Sequence, residues 1–94
     1  GIYLHRKPAT DITITFDKNS EDAAGTAVAP MTNQTENATV VKLTKNTYTL
    51  AGNTFTGWAE TKTATVAKYT DEATDFVVPG KDITLYAVWE VDGL

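Results

Sequence analysis

The segment that most limits what this chain can fold into is Ile83-Thr84-Leu85-Tyr86-Ala87-Val88-Trp89. Its residues alternate, so Ile83, Leu85, Ala87 and Trp89 share one side of a strand and Thr84, Tyr86 and Val88 the other. Both sides carry apolar groups, which suits a strand inside a sheet or covered on both faces. A second strand is written in Ile12-Thr13-Ile14-Thr15-Phe16, with Ile12, Ile14 and Phe16 on one face and threonines on the other. Thr54-Phe55-Thr56-Gly57-Trp58 reads as a third, in which Gly57 marks a bulge or a point of close backbone approach. Turn residues close these runs: Asp17-Lys18-Asn19-Ser20, Ala51-Gly52-Asn53 and Pro79-Gly80.

The intervening segments are less defined. Val40 to Leu43 is a short strand or an extended stretch, Tyr48 and Leu50 resume alternation, and Phe76-Val77-Val78 is a short apolar run. Ser20 can cap a short helical turn with Glu21 and Asp22 in its first turn, or the segment is an ordered loop. Gly25 argues against a longer helix. Thr61 to Thr65 reads as exposed, with Val66 and Tyr69 expected to anchor it. The expected fold class is therefore α+β, predominantly β, with at most one short helix. A chain of 94 residues is one domain. The expected division is a tail or linker over 1–10, a single domain over 11–91 and a C-terminal tail over 92–94. In the first segment Gly1 fits a residue left by tag removal, and Ile2, Tyr3 and Leu4 are apolar enough to pack on the domain or to continue a preceding module.

Composition removes several function classes. Eight basic against 12 acidic residues give a net charge of −4, a poor match for a nucleic-acid partner. No apolar run approaches a membrane span, no amphipathic membrane helix is present, and no signal peptide is recognisable. With no cysteine, disulfides, thiolate zinc sites and cysteine nucleophiles are excluded. Eighteen threonines suit a half-exposed pleated surface and a solvent-facing extracellular module, although a chain without cysteine fits cytoplasm equally well.

Candidate chemistry is sparse. His5 is the single histidine and lies in the tail, a poor position for a triad or a metal site. Asp71, Glu72 and Asp75 offer carboxylates to Ca²⁺, but they lack the spaced-ligand pattern of a calcium loop, and a solvated loop is the better reading. Gly52, Gly57 and Gly80 have neither the spacing nor the Lys-Ser/Thr of a phosphate loop. Asn33-Gln34-Thr35 and Asn37-Ala38-Thr39 match the glycosylation sequon, as chance allows in a threonine-rich chain. A pair of acids is all that glycoside hydrolysis requires, so an enzyme fragment stays a remote alternative. No catalytic, cofactor-binding or metal residue is assigned, and no cofactor is expected. Trp58 and Trp89 are expected to seal opposite ends of a small core in preference to forming a ligand platform.

Phe55-Thr56-Gly57-Trp58, followed by Ile83-Thr84-Leu85-Tyr86-Ala87-Val88-Trp89, resembles the Listeria–Bacteroides repeat, a relative of the internalin B-repeat. Its hallmark is an aromatic-x-Gly-Trp segment with a later Thr-Leu-Tyr-Ala-x-Trp strand. Here the motif residues are Phe55, Gly57, Trp58, Leu85, Tyr86, Ala87 and Trp89. Ile12 to Asp17 resembles the family's opening strand, and Pro30 to Thr35 and Leu43 to Thr49 its middle segments, so the likeness spans Asp11 to Glu90. Two places depart from it. Gly52-Asn53-Thr54 stands where an aromatic usually follows the glycine, and Glu60 to Thr65 replaces a Gly-rich turn.

The resemblance implies a small β-grasp-like mixed sheet in a secreted or surface-anchored bacterial protein, often with several modules in series and with no catalytic residues. The function it implies is that of a non-enzymatic extracellular stalk or spacer. The alternative is an adhesive module that binds a host glycan or protein. Expected partners are neighbouring repeats or such a host ligand, with no nucleic acid and no membrane insertion by this segment.

Overall fold

The computed structural model describes residues 6–93; the readings made above for Gly1 to His5 lie outside the described residues. Six strands follow in order: β1 (Ile12–Asp17), β2 (Ala24–Gly25), β3 (Met31–Gln34), β4 (Tyr48–Thr49), β5 (Asn53–Ala59) and β6 (Ile83–Val91). Four form one mixed sheet in the order β3-β1-β6-β5, and β2 pairs with β4 apart from it. The first and last strands of this sheet are its central pair and run parallel, with Ile14 opposite Ile83 and Phe16 opposite Leu85. β3 and β5 flank them antiparallel. The expected predominantly β, mixed-sheet fold is what the structure has, and it contains no helix among the described residues. The Ser20 segment is a turn, closed by the Ala23 N–H donating to the Ser20 carbonyl at 3.2 Å.

Register explains the core. Parallel pairing puts Ile12, Ile14 and Phe16 on the same sheet face as Ile83, Leu85 and Ala87, and all but the half-buried Ile83 are buried. This face needs a cover, and with no helix available a second layer is made from irregular chain. Residues 37–43 and 73–78 run antiparallel and exchange backbone bonds, Val40 N–H to Phe76 O at 3.0 Å and Leu43 N–H to Ala73 O at 2.8 Å. Their inward side chains Val40, Leu43, Ala73, Phe76 and Val78 belong to the same buried cluster as the sheet residues. Val41 and Val77 point outward from this ribbon and are exposed. Tyr69 packs on the core as expected, but Val66 does not anchor its loop: it is 79% exposed.

β5 carries the main irregularity. Phe55 lies opposite Trp89 and Gly57 opposite Val88, so one extra residue enters β5 between these pairs. Side chains alternate along a regular strand, so Phe55 and Trp58, three positions apart, would face opposite ways. The bulge cancels that, and Trp58 pairs with Ala87 on the same face as Phe55 with Trp89. Gly57 makes it possible twice over. Its φ is +143°, and a Cβ there would lie 2.2 Å from the Tyr69 carbonyl oxygen. That crowding arises because the Lys68–Tyr69 segment pairs with the outer edge of β5 at Trp58, whose N–H donates to Tyr69 O at 2.7 Å. At the opposite edge, β3 is kinked: Asn33 has φ +55° and the β1–β3 register shifts between Ile12 and Ile14.

Gly57→Ala is therefore expected to destabilise the domain by about 1–3 kcal/mol from backbone strain alone, with the Tyr69 clash in addition. Urea unfolding measures this: a loss below about 1 kcal/mol would contradict the strain, and a loss no larger than that of Gly52→Ala, whose φ of +75° is also strained but whose Cβ has open space, would contradict the clash.

Candidate functional site

Of the residues singled out by motif, Phe55, Trp58 and Trp89 form one aromatic row across β5 and β6. The Trp58 indole is fully buried, tilted against Phe16 at 4.9 Å between ring centroids and edge-on to Phe55 at 4.9 Å. Phe55 in turn meets Trp89 edge-on at 5.6 Å. The two tryptophans thus do not seal opposite ends of the core; Phe55 bridges them on one face, because the bulge turns Trp58 to the side on which Trp89 already lies. Trp89 is half-buried and its Nε1–H donates to the Lys18 carbonyl at 2.8 Å, fastening β6 to the turn after β1. Leu85 and Ala87 are buried beneath the row. Tyr86, on the other face, is half-buried, with the Lys62 ammonium 6.0 Å from its ring centroid. Tyr48 is edge-on to Trp58 at 6.5 Å and donates its hydroxyl to Phe16 O at 2.9 Å.

Two of the three acids that sequence suggested for chemistry are engaged singly. Asp71 accepts the Asn46 N–H at 2.8 Å, and Glu72 lies 3.9 Å from the Lys42 ammonium. Among the described residues no group of three or more His, Cys, Asp or Glu is placed to hold a metal ion. Glu60 to Thr65, which departs from the family pattern, forms a turn whose Lys62 carbonyl accepts the Asn19 amide at 2.9 Å.

One polar cluster escaped the sequence reading. Glu36 is a buried acid, and it accepts from both terminal nitrogens of the Arg6 guanidinium at 2.8 and 2.5 Å and from the Ala9 N–H at 3.1 Å. Its own N–H donates to the Ala9 carbonyl at 2.8 Å. Gly80 leaves room for the carboxylate, since a Cβ there would lie 2.8 Å from Glu36 Oε2. Segment 6–9 is thereby bonded to the domain. The Arg6 hydrogen bond, followed by that of Ala9, holds the Glu36 carboxyl below its ordinary range against the opposing effect of burial, and the same contact raises the Arg6 guanidinium. Arg6 and Glu36 are 30 positions apart, so no local pattern exposes the pair.

The family model of the Listeria-Bacteroides repeat domain matches residues 13–88. The chain belongs to this family. The match takes in all of β5 and most of β1 and β6, and stops one residue short of Trp89. Listeria-Bacteroides repeats are bacterial surface repeat modules, typically extracellular and generally non-catalytic. A search of curated proteins finds no match, and neither does a search of solved structures. No helix among the described residues is long and apolar enough to cross a membrane.

Two outcomes are expected of this repeat. Trp58→Ala should cost about 3–5 kcal/mol in denaturant unfolding, whereas Trp89→Ala, already half in solvent, should cost on the order of 1–3 kcal/mol; equal losses would contradict the difference in burial. The Glu36 carboxyl is depressed on folding, so its contribution is present above its unfolded pKa and is lost as pH falls through the lower folded value. Between pH 7 and acid below about pH 4, the wild type should therefore lose more stability than Glu36→Gln, and parallel curves would remove Glu36 from the acid response.

Proposed function

We propose that this repeat acts as a spacer in a bacterial surface protein, holding neighbouring modules apart along the chain. The observation that carries this reading is the direction of its terminal strands. β1 and β6 are parallel neighbours, so the chain enters at one pole of the sheet and leaves at the other. At the usual strand rise, the nine residues of β6 alone separate the poles by about 30 Å. Copies joined in series would therefore extend the chain, where a domain with adjacent termini would fold it back. The aromatic row supports the same reading: Trp58, Phe55 and Phe16 are spent on one another, and the Trp89 nitrogen is spent on Lys18.

An adhesive reading has one observation in its favour. Val41 at 90% and Val77 at 52% exposure lie on the outward face of the 37–43/73–78 ribbon, a small apolar patch of the kind that protein or glycan partners cover. The two readings separate in one set of measurements on the single chain and on a linked tandem. The spacer reading expects X-ray scattering of the tandem to show a maximum dimension close to twice that of one copy, with no saturable binding to mucin, matrix proteins or wall polysaccharide. Saturable, salt-tolerant binding abolished by Val41→Ser would replace it with the adhesive reading.

A further inference from the structure

The topology says more than where the chain enters and leaves. Tension applied through the chain draws β1 toward its N-terminal end and β6 toward its C-terminal end. These strands are adjacent, hydrogen-bonded and parallel, so the two pulls are opposed along the strand axes and slide one strand past the other. Ile14, Thr15, Phe16 and Asp17 are in register with Ile83, Thr84, Leu85 and Tyr86, and sliding strains all of these rungs at once. A load across the sheet would instead open an edge one bond at a time. Sliding also forces buried Ile14, Phe16 and Leu85 out of their packing together. On its far side β6 is held by β5 along Asn53 to Ala59, so pulling β6 shears a second ladder as well. Ahead of β1, the paired Arg6–Glu36 contact and the mutual bonds between Ala9 and Glu36 receive any pull arriving from the N-terminal side before the sheet does.

From this arrangement we infer that the domain is a load-bearing link: its central parallel pair is a shear clamp that resists extension along the chain far better than load from any other direction. This deepens the spacer reading and rests on it for its biological sense. Under load, persistence is set by the rate of unfolding and not by equilibrium stability, so the relevant property is directional and does not show in a melting curve.

The chain has no cysteine, so pairs of introduced cysteines define the pulling axis without ambiguity. Thr10→Cys with Asp92→Cys loads β1 and β6 lengthwise. Thr32→Cys with Glu60→Cys, the exposed residue just after β5, joins two positions nearly level along the strand axes and loads the sheet from edge to edge. Each pair removes one exposed side-chain contact, Thr54–Asp92 in the first and Lys68–Glu60 in the second, so the two differ chiefly in axis. Single-molecule force spectroscopy at one pulling speed should give an unfolding force several-fold higher for the lengthwise pair. Equal forces, or a higher force across the sheet, would overturn the inference. Neither of those results would touch the spacer reading, which falls if the tandem scatters as a compact pair or if Val41→Ser abolishes a saturable binding, and those outcomes would leave the directional force ratio unchanged.

Discussion

The extra residue in β5 and the glycine that permits it decide how this core is assembled. Without the bulge, Phe55 and Trp58 would lie on opposite faces, and the sheet would present a large indole to solvent on a domain of 94 residues. With it, both rings join Phe16 and Trp89 on a single face. The same backbone conformation lets Tyr69 come within bonding distance of Trp58, which places Tyr69 edge-on to Phe76 at 4.9 Å and so ties the covering ribbon to the sheet. One conformational choice at Gly57 thus positions residues from β1, β5, β6 and the second layer. The arrangement has a cost: the buried Trp58 Nε1 has no hydrogen-bond partner among the described residues, a penalty accepted for a ring that fills the centre of the core.

A sheet with this order would ordinarily be covered by a crossing helix. Here an extended ribbon does that work, and its outward face stays accessible while its inward face supplies Leu43, Phe76 and Val78 to the core. Backbone bonds between its halves satisfy groups that a buried irregular segment would otherwise leave unpaired. The Listeria-Bacteroides repeat therefore reaches a two-layer packing almost entirely with extended chain.

What could be read from sequence followed from periodicity. β1 and β6 were visible because Ile12-Ile14-Phe16 and Ile83-Leu85-Ala87-Trp89 repeat every second position, and the aromatic-x-Gly-Trp motif marked the irregularity of β5. The same motif misled about the tryptophans, because counting positions cannot say which way a bulge turns a ring. The two-residue strands β2 and β4 are too short to carry a period. Val66 resembles an anchor by hydropathy alone, but its loop passes along the outside of β5 and leaves it in solvent. Glu36 was invisible for another reason: its burial depends on Arg6, Ala9 and Gly80, which meet it only after the chain has closed.

The kink in β3 has a consequence for any protein that carries such modules in tandem. Covalently joined copies meet at high effective concentration, and two similar sheets with open edges could merge into one continuous misfolded ladder. At Asn33 the outer edge of β3 leaves the regular strand conformation, so a neighbour's strand finds no straight run of donors and acceptors to copy. Along β5, the chain's own Lys68–Tyr69 segment already occupies the rung at Trp58. Both borders of the sheet are thereby made poor templates, which allows sibling domains to sit side by side and each to keep its own fold.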